Sequence, residues 1–185
     1  VLNSADFDEK QLEDKISSIA QVDKSMLMQS TDGIAENESE NQSVSMIVPK
    51  TPENMGDYID LVSAENGSNL EVKSGSVIIT QKLAKLLDLK TGDTITIKLS
   101  GHEEKEFKIG GVSKNYALHY IYITPDDFEG VYGEKPVYNL SFIDLKKDTD
   151  ENSFKEQLIS NDEFYGISFK NDSSRGFLNS VDSLD

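Results

Sequence analysis

Cysteine is absent from this 185-residue chain, so neither a disulfide framework nor thiolate chemistry is open to it. That absence fits the exported surfaces of many bacteria as well as a cytosolic protein. Long apolar runs are missing too. No stretch approaches the roughly 20 apolar residues needed to cross a bilayer, and no signal-peptide pattern opens the chain. The first residue is Val1, as expected of a chain that is processed or cut from a longer one. Positive charge is scarce: Lys+Arg number 18 against 34 Asp+Glu, a formal net charge of −16. A phosphate backbone needs a basic surface, so this charge argues against nucleic acid as a partner, and against lying flat on anionic lipid. A cationic peptide is permitted by this charge, but the ordinary role of such a surplus is solubility.

Catalytic patterns are likewise missing. There is no G-x-S-x-G elbow, no H-E-x-x-H and no P-loop, and only two histidines, His102 and His119. Asp126 and Asp127 are adjacent acids, but they open a predicted helix, where the dipole accounts for them. The acidic stretch 31–43 (TDGIAENESENQS) misses the EF-hand spacing and reads as a solvated loop. The expectation is therefore a protein that is not an enzyme and holds no cofactor or metal.

What is present is concentrated in residues 77–133. Val77, Ile78 and Ile79 predict a buried strand. Thr80 stands where an N-cap belongs, and Leu83, Ala84, Leu86 and Leu87 give a helical apolar face. Gly92 turns the chain, and Ile95, Ile97 and Leu99 alternate with polar residues as in a half-buried strand. After a turn at Gly101 and His102, Phe107, Ile109 and Val112 begin the return strand of a hairpin. Tyr116, Tyr120 and Tyr122 then interleave with His119, Ile121 and Ile123, setting an aromatic face against an aliphatic one. Such tyrosines either cover a small core or, with His119, offer a surface to a partner. Thr124-Pro125 reads as N-cap and first helical residue.

The flanks are plainer. Leu12, Ile16 and Ile19 predict a helix over 8–20, followed by strands over 22–30 and 43–49. Residues 51–74 are mixed, with a strand or helical turn expected over 57–62. A strand over 137–145, an amphipathic helix over 151–160 and a strand over 164–169 make a strand–helix–strand unit. Phe177, Val181 and Leu184 predict a final helix over 173–184. Periodicity alone thus predicts an α+β protein: an α/β subdomain built from both chain ends, with a β-rich subdomain inserted between them.

In order, the apolar strand, the KLAKLLDLKTGDTI helix and turn, the glycine-valine strand and the aromatic NY…HYIYITP segment resemble a known family. This is the extracytoplasmic core domain of FtsX-like, MacB-type ABC transporter permeases. The likeness is firmest over 77–133 and extends to most of the chain. It implies a split, Porter-like base from residues 1–50 and 136–172, an inserted Sabre-like lobe over 51–135, and a stalk-like helix over 173–185. The family's first strand has no counterpart before Asp6.

The resemblance also implies the extracytoplasmic side of a bacterial cell membrane and a role in an efflux or mechanotransmission permease. Its partners would be an ATPase subunit reached through membrane helices and a second permease subunit. The cargo or target outside would be a peptide, a lipid, a lipoprotein or a cell-wall protein. Two rival expectations stand beside it, a secreted or cell-surface binding module using the tyrosine face and a carboxylate-based hydrolase. The first is separated by apolar helices flanking the chain, the second by acids converging in a cleft.

Overall fold

The computed structural model describes residues 9–37, 40–114 and 119–159. In chain order these form α1 (Glu9–Ser18), β1 (Val22–Glu36), β2 (Asn41–Pro49), a 3-10 turn (Pro52–Asp57), β3 (Val77–Thr80), α2 (Gln81–Leu86), β4 (Thr94–Leu99) and β5 (Lys105–Ser113). β6 (Tyr120–Tyr122), α3 (Pro125–Tyr132), β7 (Leu140–Leu145) and α4 (Glu151–Ile159) follow. The chain divides into two compact units, one containing 9–25 and 138–159, the other Met26–Val137.

The larger unit is organised by a ring of strands. β2 pairs with β6, β6 with β3, β3 with β5, β5 with β4 and β4 with β1, and β1 returns to β2. Two of these pairings are parallel, β2–β6 and β3–β5, and the others antiparallel. Closure removes the free edges that would otherwise invite pairing with another chain. The alternation seen in the sequence decides which residues point inward. Val44, Met46 and Val48 of β2, Ile95, Ile97 and Leu99 of β4, and Phe107 and Ile109 of β5 share one core with Ile121 and Ile123. Phe128 of α3 and Leu83 of α2 join it, each fully buried. Burying each such side chain contributes about 1.5–3 kcal/mol.

Two glycines let the ring close. A Cβ at Gly33 would lie 2.6 Å from the Lys98 carbonyl oxygen and 3.0 Å from Leu99 Cα, so β1 reaches β4 only without a side chain there. At Gly110 the β3–β5 register slips, Val77 facing Ile109 while Ile78 faces Gly111. A side chain at 110 would run into Ser76.

Four expectations are corrected here. Most of 31–43 is not a loop: β1 continues to Glu36 and β2 begins at Asn41. The polar stretch is held by backbone pairing on both sides, to β2 through Met28–Glu36 and to β4 through Gly33–Glu36. Only Ala35 needs to be apolar, because it alone of 33–36 points into the core. Residues 57–62 are not a strand. The 3-10 turn ends at Asp57, and isolated bridges join Val62 to Asn69 and Ser63 to Ser113. The strand expected from 137 begins at Leu140. Residues 26–50, expected with the base, fall in the larger unit because β1 and β2 complete its ring.

In the smaller unit α1 buries Leu12 and Ile16, and α4 buries Phe154 and Leu158. The Lys146 N–H donates to the Gln21 carbonyl at 2.9 Å, and Lys24 Nζ lies 3.4 Å from Asp144 Oδ2, which sets β7 beside the first residues of β1. The strand expected over 164–169 and the helix expected over 173–184 lie outside the described residues.

Candidate interaction surface

β6 lies between β2 and β3; Ile121 and Tyr122 have strand partners on both sides, Tyr120 on the β2 side. Ile121 and Ile123 point into the ring and are fully buried. Tyr120 and Tyr122 belong to the other face, as the alternation in the sequence predicts, while His119, one residue before β6, shares the spacing of Ile121 and Ile123. The structure separates these three. Tyr122 sits in register with Ile47 on β2 and Ile78 on β3, and only 1% of it is exposed. Its ring is covered, so Tyr122 does not present a surface, and that part of the expected site is corrected. Tyr116 lies outside the described residues.

His119 and Tyr120 remain half-exposed. Three residues line up across adjacent strands, Asp32 facing Ser45 and Ser45 facing Tyr120. The Ser45 hydroxyl donates to Asp32 Oδ1 at 2.8 Å. The Tyr120 ring lies 6.1 Å from that of Tyr122. Burial pushes the Tyr120 phenol well above its ordinary range, with smaller contributions from Tyr122 and the Asp32 carboxylate. The hydroxyl therefore stays protonated at any physiological pH.

His119 is oriented by the same strand. Its Nδ1 lies 3.0 Å from the Ser43 carbonyl oxygen, and its own carbonyl accepts from the Ser45 N–H at 3.0 Å. Nδ1 must carry the proton, because a carbonyl oxygen can only accept. Nε2 is buried and has no hydrogen-bond partner among the described residues.

The sequence reading found His119 and Tyr120 but missed Asp32, Ser43 and Ser45. Period-two spacing within 41–48 was a usable signal for the two serines. Asp32 could not be placed, because its register depends on a hairpin hidden inside an acidic segment.

An open cleft of about 480 Å³ lies at the start of α3, lined by Lys50, Glu53, Glu71, Lys73 and Asp126 among others. Its charges are mixed, and Lys73 Nζ already lies 2.9 Å from Glu71 Oε2. Among the described residues no group of three or more histidine, aspartate or glutamate side chains is placed to hold a metal ion. No helix among them is long and apolar enough to cross a membrane.

No protein-family model matches this chain, and no curated protein sequence matches it. Solved structures do. The extracellular domain of the noncanonic ABC-type transporter YknZ from Gram-positive bacteria is similar, with a TM-score of 0.55 and 16% identity, over 84% of this chain and 83% of that one. The periplasmic region of MacB from Actinobacillus actinomycetemcomitans is also similar, with a TM-score of 0.51 and 14% identity, over 95% of this chain and 83% of that one. The mixed α+β fold is thus the fold of extracytoplasmic domains of ABC-type transporters, as the resemblance in the sequence implied.

Proposed function

We propose that this chain is the extracytoplasmic domain of an ABC-type transporter permease, non-catalytic itself, on the outer side of a bacterial cell membrane. The observation that supports this reading most is the fold shared with the YknZ extracellular domain over 84% of the chain. The organisation proposed with it is a base from both chain ends, a β-rich lobe between them and a stalk-like helix over 173–185.

In this reading ATP is hydrolysed on a separate cytoplasmic subunit, and two permeases pair. Cytoplasmic closure reaches the outer domains through stalk helices. A ligand or partner outside shifts that equilibrium only if it binds one state better than the other. The half-exposed pair His119 and Tyr120, with Asp32 beside them, is the proposed contact for a partner outside. The chemistry on offer is an aromatic face, a permanent phenol donor and a carboxylate. Peptide, lipid, lipoprotein and cell-wall protein are the classes to be screened.

Purification of the full-length gene product from membranes tests the reading. It should carry an ATPase subunit with it, and Tyr120→Ala should leave that association intact while weakening the response of ATP hydrolysis to cargo or partner. A full-length product recovered without any ATPase and without membrane attachment would refute it.

A further inference from the structure

His102 occupies the turn between β4 and β5, and both of its ring nitrogens face acceptors. Nε2 lies 2.8 Å from Glu134 Oε1, and Nδ1 lies 3.0 Å from the Ser100 carbonyl oxygen. A neutral imidazole has one N–H and can donate to only one of them, whereas the imidazolium donates to both. Glu134 directly follows Gly133, the left-handed cap of α3 at φ 74°. The His102 ring meets Tyr132, the last residue of α3, edge-on, with centroids 4.9 Å apart and planes at 70°. Tyr132 in turn lies 4.9 Å from the ring of Phe128, which is fully buried in the core of the larger unit. A cation at this place also favours the carbonyl end of the helix.

We propose that His102 is a proton-controlled clasp: as the imidazolium it ties the β4–β5 turn to the end of α3, and on deprotonation one of its two anchors is lost. The geometry is reinforced by electrostatics. The hydrogen bond to Glu134 is the main cause that raises the His102 pKa above the ordinary 6.5, with burial opposing it and the Ser100 carbonyl and the Glu134 charge adding to it. The group facing the ring from α3 besides Glu134 is the Tyr132 phenol, which burial pushes up to about 12, so it does not titrate with His102. The nearby charges along the chain, Glu103 and Glu104 in the turn and Lys135 after Glu134, are all exposed.

The sign follows from the direction of the shift. A group whose pKa is raised on folding stabilises the fold fully below its unfolded value, and that contribution is lost as pH rises through the folded value. The clasp is therefore closed at pH 6.5 and below, and it opens as pH rises through the folded-state value, which lies above 6.5. The side chain of His102 is 23% exposed, so the external solution reaches it directly.

Two histidines make the test clean. Imidazole resonances of the chain are followed against pH, with His102→Gln assigning them, together with the exchange protection of the Gly133 amide, which donates to the Glu129 carbonyl at 2.8 Å. The expected result is a His102 midpoint above 6.5 and a fall in Gly133 protection across the same midpoint. In Glu134→Gln the midpoint drops and protection no longer follows it. A His102 midpoint at or below 6.5, or Gly133 protection that behaves identically in the parent chain and Glu134→Gln, would overturn the proposal.

Discussion

Gly33 and Gly130 are both glycines in regular structure, yet they have opposite reasons to be there. At Gly33 a methyl group would press on the backbone of β4, which cannot move aside without opening the ring. Gly33→Ala should cost about 1–3 kcal/mol, the usual range for overpacking. At Gly130, inside α3, nothing lies within 4 Å of an added Cβ. Gly130→Ala should raise stability by roughly 0.5–1 kcal/mol through helix propensity. Urea melts of the two variants check both signs. Thr124 is a third case: its side chain accepts from the Asp127 N–H at 3.2 Å, and Thr124→Ala should cost about 1 kcal/mol. That cap was legible in the sequence, since Thr-Pro-Asp-Asp is a local pattern. Thr80 looked the same and does not act the same, making no capping hydrogen bond to α2. The need for glycine at 33 was illegible, because it comes from Lys98 and Leu99, far along the chain.

Elements were legible wherever hydrophobicity alternates. β4, with Ile95, Ile97 and Leu99 inward, and the hairpin it makes with β5 follow directly from spacing. The β1–β2 hairpin did not, because pairing on both sides holds a strand that needs little apolar surface. Backbone amides of residues 33–36 should therefore exchange as slowly as those of β4, although the sequence around them is acidic; exchange at loop rates would contradict the ring of strands. α4 gives a pH-dependent case. The Ser153 N–H donates to Asp150 Oδ1 at 2.7 Å, and backbone and side-chain hydrogen bonds from Ser153 hold the Asp150 carboxyl below its ordinary 3.8. A pKa lowered on folding stabilises above the unfolded value and is lost as pH falls through the folded one. The start of α4 should fray below pH 3.8 in the parent chain, while Asp150→Ala should already fray at neutral pH, as amide exchange at Ser153 and Phe154 would report.

At the scale of the whole molecule, fold and activity are legible to different degrees. The net charge of −16 argues against nucleic-acid binding, and the order of motifs over 77–133 resembles that of permease domains. The candidate surface was only half legible. Alternation correctly placed Tyr120 and Tyr122 on one face, but it carries no information about what covers that face. Tyr122 is closed in beside Ile47 and Ile78, while Tyr120, in line with Ser45 and Asp32, is not. Tyr122→Ala should accordingly destabilise the fold by about 3–5 kcal/mol, as for other large buried aromatics, whereas Tyr120→Ala should cost clearly less. Paired thermal melts decide between a shared and a divided role.

What lies on either side of this chain in its gene tests most directly whether it is the outer part of a transporter. Sequencing the open reading frame around residues 1 and 185 should find an apolar helix of about 20 residues on each side and an ATPase encoded alongside. A signal peptide directly before residue 1 and a stop codon directly after residue 185 would contradict it.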